Sequence, residues 1–168
     1  PGIAEGVRYE DVSFSYEADT PVLKDISFDI PKAATVALVG PSGGGKSTVC
    51  DLLLRFYDPD RGAVRIDGAD VRSFRLETLL ARTAVVTQEP FLFHTTILEN
   101  IRQGRLDATQ EEIVEAARAA QIHDFIESLP KGYETEVGEM GSRLSGGQRQ
   151  RITIARALVR DPEILVLY

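Results

Sequence analysis

An unbroken apolar run, Thr35-Val36-Ala37-Leu38-Val39, ends in a glycine, and a helical pattern starts at Lys46. Between them lies Gly40-Pro41-Ser42-Gly43-Gly44-Gly45-Lys46-Ser47. An apolar run without alternation predicts a strand buried on both faces of a parallel sheet. From Lys46 onward Val49, Leu52, Leu53 and Phe56 keep helical spacing until Asp58-Pro59-Asp60-Arg61-Gly62 forces a turn. A strand, a glycine loop and a helix in this order narrow the choice to α/β architectures. The loop's backbone N–H groups then converge at the positive end of a helix, where an anion is stabilised.

The loop fits G-x-x-x-x-G-K-[ST] in the strand–helix context that this motif requires. Gly40, Ser42, Gly43, Gly44, Gly45 and Thr48 frame a phosphate cradle. Lys46 supplies a point charge to β- and γ-phosphates, and the Ser47 hydroxyl is placed for Mg²⁺. The competing reading is an ordinary glycine-rich turn. A second loop of the same chemical kind is Leu144-Ser145-Gly146-Gly147-Gln148, which opens another long helical pattern. One chain thus carries two phosphate-type loops about a hundred residues apart in sequence.

The rest of the chain reads as follows. Val7–Tyr16 alternates apolar and polar residues, a half-exposed strand, and Ser27–Ile30 is a second strand. Ala63–Ile66 and Thr83–Thr87 are further strands, and Ile164–Leu167 is a last one of buried type. Between Gln88 and Arg143 helical signals dominate, led by the capping box Thr109-Gln110-Glu111-Glu112. Lys131–Gly141 is polar and glycine-bearing, which predicts an exposed loop. Gln148–Arg160 is helical, with Ile152, Ala155 and Leu158 on one face. A net charge of −7 argues against the basic footprint of a nucleic-acid binder. The one cysteine, Cys50, excludes an internal disulfide and reads as a small core residue. His94 and His123 read as structural or solvent-facing. No stretch approaches the roughly 18 apolar residues of a membrane span, so a membrane role is expected to come through a partner.

The order of Gly40–Ser47, Gln88 and Leu144–Gln148 resembles the nucleotide-binding domain of ATP-binding cassette (ABC) proteins over essentially the whole chain. The resemblance implies an α/β fold. Its P-loop NTPase (RecA-like) core, residues 1–87 and 144–168, has an N-terminal antiparallel β part. Residues 88–143 form an inserted helical subdomain. It implies ATP and Mg²⁺ as ligands, with Tyr16 stacked on the adenine and Gln88 contacting the metal or the attacking water. A cross-strand core aromatic is the other reading of Tyr16. Two cassettes meet head to tail in the family, so Ser145, Gly146, Gly147 and Gln148 are expected to cap ATP held by the other copy. Thr96–Ile101 and Thr135–Glu139 look exporter-like, which points to a transmembrane domain contacted through 88–101 and 135–141, at the cytoplasmic face of a membrane.

The sequence departs from the family after Asp161-Pro162-Glu163-Ile164-Leu165-Val166-Leu167, where a metal-holding Asp and a water-polarising Glu are expected and Tyr168 stands instead. A phenol is neutral at pH 7 and cannot replace a carboxylate. The 168 residues by themselves are therefore expected to lack the C-terminal part of the core, to hydrolyse ATP poorly and to be unstable or oligomeric. Two other readings are a nucleotide-binding module without turnover and a non-transport cassette acting on DNA or the ribosome. The second expects basic arms, zinc cysteines or coiled-coil inserts, which this chain lacks.

Overall fold

The computed structural model describes residues 2–168, which fall into two compact units divided between Ala81 and Arg82. The first unit is built on an antiparallel sheet. Strands β1 (Gly6–Glu17) and β2 (Thr20–Pro31) form a hairpin. Strands β3 (Arg61–Ile66) and β4 (Ala69–Asp70) complete the order β2-β1-β3-β4. Asp67-Gly68 joins β3 to β4 with positive φ at both residues, as a tight hairpin turn requires.

Strand β1 does not keep one alternation throughout. Val7 and Tyr9 are buried, and so are Val12 and Phe14, which have the opposite parity. The flip comes from a bulge at Asp11, where φ is 45° and the pairing with both neighbours shifts register. The Asp11 N–H donates to Ser27 Oγ at 2.8 Å, and the Ser27 hydroxyl donates back to Asp11 Oδ1 at 2.9 Å. Without that extra residue, Phe14 and Tyr16 would turn to the opposite face.

Helix α1 (Lys46–Leu53) buries Thr48, Val49, Leu52 and Leu53. It is tied to the sheet by the buried Tyr9 hydroxyl, which donates to the Val49 carbonyl at 2.8 Å. The helix stops earlier than its spacing predicts, and Phe56 is 58% exposed. Arg55 adopts φ 57°, and the N–H groups of Phe56 and Arg55 bond back to Asp51 and Leu52 carbonyls at 2.9 and 3.2 Å. This is a Schellman ending with arginine at the position usually held by glycine. Arg55 is kept there by its bond to the Phe74 carbonyl at 2.9 Å. A short helix α2 (Leu76–Ala81), absent from the sequence reading, closes the unit.

The run Thr35–Val39 corrects an expectation: it is not a strand, and Val39 is 93% exposed. A strand exists only through its ladder. The four-stranded sheet of the first unit does not include this segment.

In the second unit β5 (Thr83–Val86) and β6 (Ile164–Leu167) pair in parallel, with Thr83 opposite Ile164. Between them come α3 (Ile97–Arg102), α4 (Gln110–Ala119), α5 (His123–Glu127) and α6 (Gly146–Leu158). Helix α6 is the hub: Ile152 and Ala155 join the core of Ile97, Ile101, Ile113 and Ile126. Its Ala157 packs with Ala84 and Val86 of β5. The capping box at Thr109 and Glu112 forms as the sequence predicts.

A second expectation is corrected in this unit. Lys131–Gly141 is not simply exposed, because Tyr133 and Val137 are 6% and 0% exposed. Val137 and Ile97 donate backbone N–H bonds to Thr95 and Thr135 at 3.1 and 3.0 Å, beside a bridge between Thr96 and Glu136. The polar composition hid a segment whose backbone is paired to the start of α3. His123 is structural, its Nδ1 lying 2.9 Å from the Tyr133 hydroxyl.

Candidate functional site

The first unit assembles the phosphate loop from local backbone chemistry. Gly43 and Gly45 hold φ of 77° and 79°, a region that side-chain-bearing residues rarely enter. Gly45 is also the N-cap of α1, and a Cβ there would lie 2.7 Å from Leu23 Cδ2 of β2. The loop is thus pressed against the sheet, with no room for a side chain at its base. Lys46 bends back over the loop, donating from Nζ to the Gly40 and Pro41 carbonyls at 3.0 and 2.6 Å. Its ammonium therefore sits over the loop, where an arriving phosphate can replace those carbonyls.

Ser47 is exposed in the first turn of α1, and Thr48 beside it is buried. No cluster of three His, Cys, Asp or Glu capable of holding a metal occurs among the described residues. The donor set available to a cation here is a hydroxyl together with phosphate oxygens and water. This suits Mg²⁺, which keeps much of its hydration and binds with substrate phosphates. Cys50 is half-buried on the same helix, and burial pushes its thiol pKa up, which leaves it a poor nucleophile.

The structure brings Tyr16 to this loop and its helix. The ring is 48% exposed near the end of β1, and its hydroxyl lies 3.1 Å from Thr48 Oγ1 and 3.3 Å from Asp51 Oδ2. Phe14 and Tyr57 meet it edge-on at 4.9 and 5.1 Å between centroids. Sequence reading did not single out Asp51 or Tyr57. The only signal was the i, i+3 spacing of Thr48 and Asp51, which puts both on one helix face.

The second unit holds the other loop. Ser145 caps α6: its Oγ accepts the Gln148 N–H at 3.3 Å, and the Gln148 side chain accepts the Ser145 N–H at 2.8 Å. This is a capping box with glutamine in the third helical position. A Cβ at Gly147 would meet nothing within 4 Å, and one at Gly146 only the Arg149 guanidinium, at 3.9 Å. Among the described residues no packed neighbour crowds these two positions, and bare backbone suits the close approach of an outside group. Arg149 braces the loop by donating to the Leu144 carbonyl at 2.7 Å. Gly141 leaves room for that side chain, since a Cβ there would lie 2.8 Å from Arg149 Cδ.

Gln88 lies exposed just beyond β5. The segment after it is pinned to α6 by Arg156, which donates to the Phe91 and Asn100 carbonyls at 2.9 and 2.7 Å and to Asn100 Oδ1 at 2.8 Å. Burial lowers the Arg156 pKa, and carbonyl and amide oxygens rather than a carboxylate satisfy it. No helix among the described residues is long and apolar enough to cross a membrane.

The ABC transporter family profile matches residues 23–167. The chain is 52% identical over 163 residues to ABC transporter B family member 3 of Dictyostelium discoideum, covering 96% of this chain and 11% of that protein. It is 49% identical over 159 residues to the mitochondrial iron-sulfur clusters transporter atm1 of Neurospora crassa, covering 95% of this chain and 22% of that protein. A solved structure of a bacterial Atm1-family ABC exporter with ATP bound superposes with a TM-score of 0.90 at 46% identity, covering 98% of this chain and 29% of that one. The chain therefore spans under a third of the length of these relatives. A glycine cradle with its lysine, a capped serine–glycine loop and a match over nearly the whole chain lead to one conclusion: these residues belong to the ABC transporter family and to its nucleotide-binding domain.

Proposed function

We propose that this chain binds MgATP at Gly40–Thr48 with the base on Tyr16, as the nucleotide-driven part of an exporter. The observation that carries the reading is Lys46, whose Nζ is folded onto the carbonyls of Gly40 and Pro41 over a loop pressed to the sheet. Gly40, Ser42, Gly43, Gly44 and Gly45 receive the phosphates by backbone N–H groups, and Lys46 offsets their charge. Ser47 and Gln88 are the residues assigned to Mg²⁺, which supplies charge neutralisation at the β- and γ-phosphate oxygens. Gln88 also orients the attacking water.

Ser145, Gly146, Gly147 and Gln148 meet the ATP of a second nucleotide-binding domain in a head-to-tail pair, which suits glycines that no packed neighbour crowds. The helical part, residues 88–143, contacts a transmembrane domain through 88–101 and 135–141 at the cytoplasmic face of its membrane, and closure of the pair drives export. The backbone pairing of Thr95–Ile97 with Thr135–Val137 supports treating those two segments as one surface. Export is the function of relatives named as transporters, and no nucleic-acid partner is proposed. Binding without turnover is a second reading, favoured by the neutral phenol of Tyr168 at the position where a metal-holding carboxylate is expected. Calorimetric titration with MgATP tests the site. Lys46→Ala should abolish binding while leaving the melting temperature in place, and unchanged affinity in that variant refutes the assignment.

A further inference from the structure

The Tyr16 hydroxyl has two partners on the helix that begins at the phosphate loop, and neither is needed for a ring that merely stacks. We propose that Thr48, Asp51 and Tyr57 are positioning residues that set how far the base-stacking ring stands from the phosphate loop. This rests on the nucleotide-site reading above and concerns the same site.

The hydrogen-bond chain has one natural order. The Asp51 carboxylate only accepts, so the Tyr16 phenol donates to Oδ2, leaving the Thr48 hydroxyl to donate to the phenol oxygen. Thr48 is 4% exposed and directly follows Ser47, so its hydroxyl is fixed relative to the cradle. The ring needs such a restraint. Tyr16 is one residue from the end of β1, beside the turn at Ala18-Asp19, where a strand frays most easily.

Tyr57 supplies a second restraint. It reaches Tyr16 only because Arg55 turns the chain back after α1 through the Schellman ending. Its ring meets Tyr16 at 86°, with Phe14, 5% exposed, as the floor beneath both. Edge-to-face pairs of this kind add to simple burial. A ring held in advance lowers the ordering cost when a base binds. The consequence is selective: losing the restraint weakens ligands that have a base and spares those that are phosphate alone.

The experiment compares the Kd of MgATP with that of magnesium tripolyphosphate, measured by displacement of a fluorescent nucleotide. Tyr16→Phe keeps the ring and removes the hydroxyl. ATP affinity should fall by up to about thirty-fold, the usual worth of the two hydrogen bonds removed, with tripolyphosphate within about two-fold of the parent chain. Tyr57→Ala should give the same split, and Tyr57→Phe should restore it. Melting temperature reports folding, and Tyr16→Phe decides the matter if Tyr57→Ala fails to fold. If Tyr16→Phe binds ATP as tightly as the parent chain, or if both ligands weaken together, the positioning role is overturned. If the parent chain binds neither ligand, the nucleotide-site reading itself has failed and this proposal with it.

Discussion

Replacing Asn100 with Ala removes one side chain that serves four partners in the second unit. Asn100 is fully buried; Oδ1 accepts from the Phe93 N–H at 2.9 Å and from Arg156 Nη2 at 2.8 Å. Its Nδ2 donates to the Phe93 and Thr96 carbonyls, each at 3.0 Å. Those carbonyls keep other partners, the N–H groups of Thr95 and of residue 100 itself. The Phe93 N–H and one arm of a guanidinium do not. A buried donor left without a partner costs about 1–3 kcal/mol; both bonds here are part-buried, so the two losses together destabilise by about 2 kcal/mol. With a urea m-value of about 2 kcal/mol/M, the midpoint followed by circular dichroism should fall by about 1 M. Arg156→Met should cost a similar amount. The double variant should fall short of the sum by about 1 kcal/mol, because the Oδ1–Nη2 bond is shared. A midpoint shift below about 0.5 M for Asn100→Ala would refute the view that this network holds the segment after Gln88 to α6.

Two further outcomes concern the second unit. Gly147→Ala should leave stability within about 0.5 kcal/mol of the parent, since its Cβ meets nothing, whereas Ser145→Ala should cost about 1 kcal/mol as a lost cap. Chemical denaturation of the two variants separates these effects. Tyr133 is held neutral up to about 12, mainly by burial, with a smaller push from Glu127. Between about pH 10 and 12 the unfolded phenol ionises while the folded one does not, so protons leave the unfolded chain first and stability falls as pH rises. Tyr133→Phe should flatten that alkaline decline, measured as urea midpoints across the range.

Legibility in the sequence followed chain distance. The helix start at Lys46 after the glycine loop and the capping box at Thr109 are each spelled within a few consecutive residues, and each forms as read. The bulge at Asp11 was not legible, because it depends on Ser27 in the next strand. The early end of α1 was missed because arginine stands where glycine announces such a turn, and a carbonyl of Phe74 keeps it there. Thr35–Val39 misled in the opposite direction. Its apolar residues satisfy the pattern for a strand, but pattern alone provides no ladder partner.

By itself the sequence determined the family and the two glycine-bearing loops that open helices, since a loop running into a helix is written in contiguous residues. Tertiary structure alone decided that the Tyr16 hydroxyl reaches Thr48 and Asp51, that Tyr57 stands beside it, and that Arg156 and Asn100 lock the segment after Gln88 to α6. These are contacts between residues tens of positions apart. Such pairs exist only once bulges, turns and helix ends have set the direction of each element, and no local pattern of residue types records them.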